Sequence, residues 1–206
     1  MGAPNLLDYA TSLDPGQMQL LVGKQSISET KYDTLTLAAA AIPSTTQFFA
    51  TPSSDVARKN FEGPSQIVTS GKLFLIQTIG VVISQIAAAA TAQNLLDLIN
   101  NCAVRLQVDQ KIMGTFPLHQ LTGFGGAHLS SQVAVTAAAA PAGAAANFGI
   151  TNGMPQNQPF RLRPMLIEGQ KNFAAYLIGP TGTVITLAGA VDLKLCVGGL
   201  QFQPIQ

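Results

Sequence analysis

Apolar residues are most concentrated in Gly71–Ser84, which reads GKLFLIQTIGVVIS. Several of its residues are β-branched and one is aromatic, and these residue types suit the pleated, half-buried surface of a strand. Ser70 and Gly71 supply turn chemistry at its start. The pattern predicts a central strand that bends at Gly80, with the other strands packed beside or opposite it.

Alternating apolar and polar positions predict further strands, because successive side chains of a strand point to opposite faces. Cys102–Val108 and Lys111–Leu118 flank Asp109-Gln110, which predicts a β-hairpin. Gly198-Gly199 predicts a bulge or kink in the last strand. The other predicted strands are Tyr32–Ala40, Thr46–Thr51, Gln132–Thr136, Phe160–Glu168, Asn172–Ile178, Val184–Leu187 and Val191–Gln203.

Helical spacing occurs in two places. In Thr91–Asn101 the leucines and the isoleucine fall on one face of a short helix. In Asn5–Val22, Asp14-Pro15 is a typical helix start and Gly23 a typical end. The order of elements shows no βαβ rhythm. It predicts an all-β protein, an antiparallel β-sandwich or jelly roll with one short inserted helix and an N-terminal helical arm. The predicted division is an arm at residues 1–31 and a single domain at 32–206.

Three segments between these elements are predicted to be loops. Pro52–Pro64 carries the densest group of charges in the chain and is interpreted as a solvated loop. Thr122–Gly126 is rich in glycine but lacks the spacing of a P-loop or a dinucleotide-binding turn. Ala137–Asn152 is a low-complexity segment whose proline and glycines interrupt any continuous helix. Its small side chains would allow close approach of another subunit.

The composition favours a protein that assembles. Hydrophobic residues make up 47% of the 206 residues and charged residues only 10%, with a net charge of +1. Such a surface suits burial against neighbours, since interface cores are depleted of charge. The alternative is a monomer with a polar, uncharged surface. The arm Met1–Val22 has no Lys or Arg, so we predict no direct nucleic-acid binding. No signal peptide and no transmembrane segment are predicted.

The residues that could carry chemistry do not form a recognisable site. His119 and His128 flank the glycine-rich turn without a metal-ligand spacing, and Ser130-Ser131 lack a carboxylate nearby for a triad. Cys102 and Cys196 lie in apolar runs and are predicted to be buried free thiols rather than a disulfide. We therefore predict no catalytic, cofactor-binding or metal-binding residues, and a protein that is not an enzyme.

Two basic pairs remain as candidate binding residues. Arg161 and Arg163 alternate along one predicted strand beside Glu168, where they could bind a phosphate, bind a partner carboxylate or form an intersubunit salt bridge. Arg58-Lys59 could likewise pair with acidic groups of a neighbouring subunit. Such pairs contribute little if they are exposed.

Three stretches together resemble a known class of protein: Asn60–Ile83, Gly114–Gly126, and the C-terminal FRLRPMLIEGQKNFAAYLI and VDLKLCVGGLQFQPIQ. They resemble jelly-roll coat proteins of bacteriophage virions, of the small capsid or shell-decorating (cement) kind, over Tyr32 to Gln206. The resemblance implies a virion structural protein that assembles with copies of itself, often through trimers, and with other capsid proteins. It implies a protein made in the host cytoplasm, not secreted, and located in the virion.

Two other function classes are kept as hypotheses. A receptor- or carbohydrate-binding β-sandwich of a phage fibre would need clustered aromatic residues or calcium ligands on its loops, but the chain has no Trp and only three Tyr. A cupin-type enzyme would need a set of His and Glu ligands inside the barrel, which two histidines beside a glycine-rich turn match poorly.

Overall fold

The structure is a computed structural model that describes residues 15–52, 54–87, 92–122, 159–169, 171–182 and 184–205, together with the backbone of 127–128 and 149–150. Within this part of the chain the helices are α1 (Pro15–Gln19), α2 (Ala92–Asn101) and α3 (Leu118–Leu121). The strands are β1 (Lys24–Leu37), β2 (Thr45–Phe48), β3 (Leu73–Ile86), β4 (Ala103–Val108), β5 (Lys111–Pro117), β6 (Ala127–His128), β7 (Gly149–Ile150), β8 (Phe160–Glu168), β9 (Phe173–Ile178) and β10 (Val191–Pro204).

The strands form two four-stranded antiparallel sheets and a two-stranded ladder of β6 and β7. In the first sheet the strand order is β1-β10-β3-β8, and in the second it is β2-β9-β4-β5. All ladders are antiparallel. The predicted all-β, antiparallel class is therefore confirmed.

One large apolar cluster takes side chains from both sheets, because each long strand turns alternate residues toward it. Phe74, Ile76 and Val197 contribute from the first sheet, and Leu106 and Phe173 from the second. Leucines of α2 and α3 join the same cluster. A smaller cluster of Leu73, Leu75 and Phe202 lies on the other face of the first sheet, where Leu21 packs against it.

The predicted central strand is confirmed, since β3 lies between β10 and β8. Gly80 pairs with Cys196 in unbroken register, and β3 is irregular between Ile76 and Thr78 and between Ile83 and Gln85. The bulge predicted at Gly198-Gly199 is present. A Cβ on Gly199 would lie 1.9 Å from the carbonyl oxygen of Leu75, so only glycine fits this close approach of two strands.

Several other predicted elements are confirmed with small shifts. The hairpin of β4 and β5 turns at Asp109-Gln110, where Asp109 has a positive φ of 52°. The inserted helix is α2, and the helix expected near Asp14-Pro15 is the five-residue α1.

Two predictions differ from the structure. The strand expected from Tyr32 begins at Lys24, so residues 24–31, which the sequence placed in the arm, pair with β10. Val184–Leu187 is not a strand, and only Thr186 of this segment forms a single bridge, with Ala41. The strand predicted at Gln132–Thr136 lies outside the described residues, as does almost all of Ala137–Asn152.

Candidate functional site

The charged loop before β3 is exposed at residues 54–57, as predicted, but from Arg58 onward it is bonded to the first sheet. Arg58 Nη1 lies 2.9 Å from Asp192 Oδ2, and Arg58 Nη2 donates to Thr36 Oγ1 at 2.7 Å. Lys59 Nζ lies 3.4 Å from Asp33 Oδ1. Sequence reasoning missed these internal partners, because Asp33 and Asp192 are far from the loop in sequence.

Asn60 adds hydrogen bonds between the loop and the edge of β1. Its side-chain Nδ2 donates to the carbonyl of Thr30 at 2.7 Å, while its Oδ1 accepts the backbone N–H of Tyr32. Its own backbone N–H donates to the carbonyl of Tyr32 at 3.0 Å. Lys59 forms a bridge with Asp33 beside it. The loop therefore covers the C-terminal half of β1, which is the edge strand of the first sheet.

Asp33 links this loop to the core. Its Oδ2 accepts the backbone N–H of Phe49 at 2.6 Å, and Phe49 has a positive φ of 59°, a conformation that bulky residues rarely adopt. Burial raises the pKa of Asp33, and the Phe49 N–H and the charge of Lys59 offset that rise only in part. The signal for Asp33 was present in the sequence, since it occupies an inward position of an alternating strand.

Glu62 is the centre of the second charged group on this loop. Its Oε1 lies 2.9 Å from Lys72 Nζ and 3.4 Å from the Nζ of Lys31, whose residue is only 3% exposed. Its Oε2 accepts from both Thr69 N (3.0 Å) and Thr69 Oγ1 (2.6 Å). Burial alone would raise the pKa of Glu62, but these hydrogen bonds and the Lys31 charge outweigh it and lower the pKa to about 2.

On the opposite side of the molecule, the described residues leave a groove between the two sheets. β5 is the edge of the second sheet and β8 the edge of the first, and a groove of about 510 Å³ lies between them. At the other end of this opening Phe116 and Phe160 are in ring contact, with centroids 5.7 Å apart. The groove is lined mainly by Val108, Lys111 and Met113 of the β4–β5 hairpin and by Met165, Leu166 and Ile167 of β8.

Apolar side chains form most of the groove lining, Asp109, Gln110 and Lys111 lie at its hairpin end, and its rim is partly exposed. Met113 is 37% exposed and its neighbour Ile112 is 54% exposed. Within the described chain, β5 is hydrogen-bonded to β4 alone and β8 to β3 alone, so both strands turn backbone donors and acceptors toward the opening. Free strand edges beside apolar side chains are typical of surfaces that pair with another chain.

The basic pair predicted on β8 lies on this open side. Arg161 and Arg163 are exposed, as is Glu168 at the far end of the strand. Among the described side chains, none of the three forms an ion pair. An anionic group on a partner therefore stays a possible ligand of Arg161 and Arg163, as the sequence suggested.

The other candidate residues are only partly described. His119 lies exposed on α3, only the backbone of His128 is described, and Ser130-Ser131 lie outside the described residues. No group of three His, Cys, Asp or Glu side chains in the described part of the chain is placed to hold a metal ion. Cys102 and Cys196 are buried free thiols, as predicted, and burial raises the pKa of each to about 11.

Comparison with known proteins gives no name for this arrangement. No protein-family model matches the chain, and no curated protein matches its sequence. No helix in the described ranges has the length and apolar character needed to cross a membrane. Function therefore has to be inferred from the architecture and from the surfaces that it leaves open.

Proposed function

We propose that this protein is a virion structural protein: a jelly-roll coat subunit that self-assembles, through trimers, into or onto a viral shell. The observation that carries the proposal is the pairing of the strands. Leaving aside the two-residue β6 and β7, eight described strands pair first with last and so on inward: β1 with β10, β2 with β9, β3 with β8 and β4 with β5.

Numbered one to eight, these strands have the orders 1-8-3-6 and 2-7-4-5 in the two sheets. Such nesting is what results when one long antiparallel hairpin is rolled up so that successive strands alternate between two sheets. Jelly rolls of two Greek keys have eight strands in two sheets, and they occur in viral capsids, lectins and cupins. The strand order therefore supports the jelly-roll form of the all-β fold and reduces the function classes to a few.

The packing between the sheets favours a structural role over a cupin-type enzyme. Phe48, Phe49, Phe74 and Phe173 are fully buried there, with Phe49 in edge-to-face contact with Phe173 at 5.4 Å between centroids. A barrel filled by phenylalanine rings and aliphatic side chains gives stability and a fixed shape. These are the properties that a shell subunit needs.

The surface favours assembly with copies of itself. Much of the small charge content is used inside the subunit, where Arg58, Lys59 and Glu62 hold one loop in place. The open groove between β5 and β8 and the exposed Ile112 and Met113 are suited to burial against a neighbour. A specific contact would bury about 800 Å² on each partner.

The experiment that tests this proposal is the mass of the purified recombinant protein by light scattering, with negative-stain microscopy of the same sample. Closed shells would support a coat subunit, and soluble trimers that bind preformed shells a shell-decorating protein. A protein that stays monomeric or dimeric under all assembly conditions would contradict the proposal. Glycan arrays would then examine the fibre-module hypothesis.

A matched pair of variants makes the experiment specific to the groove. Met113→Glu places a charge in the apolar groove, and Val184→Glu places one at a position that is 75% exposed on the connection before β10. We expect Met113→Glu to lower the yield of shells or trimers at least tenfold, while Val184→Glu assembles like the wild type. Equal assembly by both variants would exclude the groove from the subunit contact.

A further inference from the structure

Among the described residues, no other strand pairs with the outer edge of the N-terminal half of β1. β1 is the outermost strand of the first sheet, next to β10. Asn60 covers it from Thr30 onward. At the other end the chain turns away at Gly23, which has a φ of 73°, and the N–H of Lys24 donates to Leu21 O at 3.3 Å. The uncovered stretch, Lys24–Thr30, is called the β1 window below.

Two residues of the window direct their backbone groups out of the sheet. In an antiparallel ladder alternate residues bond to the same neighbour, and the carbonyl of Thr30 and both backbone groups of Tyr32 point away from β10, toward Asn60. Ser26 and Ser28 follow the same alternation. Among the described residues, nothing hydrogen-bonds to the N–H or C=O of Ser26 or Ser28.

We propose that a second copy of this chain pairs antiparallel with the β1 window across a two-fold axis at Ile27. The window has its centre at Ile27, so two copies related by this axis overlap along its whole length. Ser26 of each copy then lies opposite Ser28 of the other, and each such pair exchanges two N–H···O=C bonds. The two first sheets join into one continuous sheet of eight strands.

The register follows from the ends of the window. A pairing shifted so that Ser26 lies opposite Ser26 needs the N–H of Lys24, which already donates to Leu21 O. A pairing shifted the other way, with Ser28 opposite Ser28, needs the carbonyl of Thr30, which already accepts from Asn60. Only the register centred on Ile27 uses all four free backbone groups of the two serines in each copy.

The side chains of the window suit self-pairing. Ile27 is 44% exposed in the single chain, and across the axis it would lie against Ile27 of the second copy. Gln25 would face Glu29 of the second copy, an amide opposite a carboxylate, and Lys24 would face Thr30. No two like charges lie opposite each other, and such pairs are what destabilise an antiparallel contact. Because a two-fold contact is self-complementary by symmetry, a second copy is the partner that fits this surface.

Cysteine cross-linking tests the register. Opposed residues of a non-hydrogen-bonded antiparallel pair have Cα atoms about 4.5 Å apart, within the range that a disulfide bridges. We expect Ile27→Cys to form a covalent dimer under mild oxidation at least tenfold faster than Val184→Cys, which replaces an exposed residue outside both proposed contacts. Gln25→Cys should cross-link with Glu29→Cys in a mixture but hardly with itself. Equal rates for Ile27→Cys and Val184→Cys would overturn the proposal.

A proline substitution tests the contact without a cross-link. Ser28→Pro removes an N–H that points away from β10 and adds bulk to the free edge, so the ladder within the subunit is kept. By analytical ultracentrifugation under conditions where the wild type forms neither shells nor trimers, we expect the wild type and Ser28→Ala at about twice the 21.5 kDa chain mass, and Ser28→Pro at the chain mass. Unchanged circular dichroism and melting would show that Ser28→Pro is folded. A Ser28→Pro variant that sediments like Ser28→Ala would refute the contact.

This inference does not depend on the proposed virion role. Dimers cross-linked through Ile27→Cys without shells or trimers would support the two-fold contact and contradict the coat function. Shells whose yield and mass are unaffected by Ser28→Pro would support the coat function and contradict the two-fold contact.

Discussion

Glu62→Gln removes the carboxylate that joins the loop before β3 to two lysines. The amide keeps the size of the side chain, and its oxygen can still accept from Thr69. It cannot balance the charge of Lys72 at 2.9 Å or of the buried Lys31 at 3.4 Å. Glu29 remains beside Lys31 at 2.8 Å, so the variant should fold. Its free energy of unfolding should be lower and should depend less on pH.

The size of the effect follows from the pKa of Glu62. The folded protein lowers this pKa from 4.5 to about 2. A lowered carboxyl pKa stabilises the folded state above the unfolded pKa, and that stability is lost as the pH falls from about 4.5 through about 2. At 1.36 kcal/mol per pKa unit, the ionised form contributes about 3 kcal/mol at pH 7 and about 1 kcal/mol at pH 3. Glu62→Gln should therefore destabilise the protein about two to three times as much at pH 7 as at pH 3.

The assay is urea unfolding of wild type and Glu62→Gln at pH 7 and pH 3, at a protein concentration where the transition no longer depends on concentration. Glu168→Gln is the matched control, because Glu168 is exposed at the end of β8. It should change the free energy of unfolding by less than about 0.5 kcal/mol at either pH. A Glu62→Gln effect that is equal at the two pH values, or as small as that of Glu168→Gln at pH 7, would refute the reasoning.

Three further predictions concern the sheets and the thiols. Gly199→Ala places a methyl group 1.9 Å from the Leu75 carbonyl oxygen of the same subunit. The variant should have a melting temperature lower by about 10 °C or more, or should fail to fold. A melting curve like that of the wild type would contradict the close approach of the two strands. Phe173→Ala empties a fully buried position beside Phe49 and should cost about 3–5 kcal/mol in urea unfolding; a cost below about 1 kcal/mol would mean that the ring is not part of the core. Cys102 and Cys196 have pKa values raised to about 11 by burial, so a thiol reagent at pH 8 should leave both unmodified in native protein and titrate two thiols in urea; rapid reaction of the native protein would refute their burial.

The sequence predicted the elements whose side chains are sorted clearly between core and surface. β3 and β10 carry aliphatic residues at nearly every inward position, and the β4–β5 hairpin alternates around a two-residue turn. The first half of β1 could not be found in this way. Gln25, Ser26 and Ser28 are exposed there, because this edge extends past the large core. A strand exposed on both faces has no hydrophobic period to recognise.

The internal ion pairs of the charged loop were missed for a related reason. Runs of charged residues usually lie in solvent, and nothing local to Arg58 or Lys59 reveals that the partner of Lys59 is 26 residues away at Asp33 and that of Arg58 in the last strand at Asp192. Pairing across such sequence separations is decided by topology.

Each of the two sheets has two outer strands. These strands differ in whether other described residues cover their free edges. The loop between β2 and β3 lies along β1 and is held by ion pairs and by the Asn60 side chain, so that part of the edge is closed to other chains. β5 and β8 face each other across an apolar groove, and the β1 window begins where the cover ends. In a protein with only 10% charged residues, several of these charges hold the loop that covers the C-terminal half of β1. In the assembly proposed above, the subunits meet at the edges that this loop leaves uncovered.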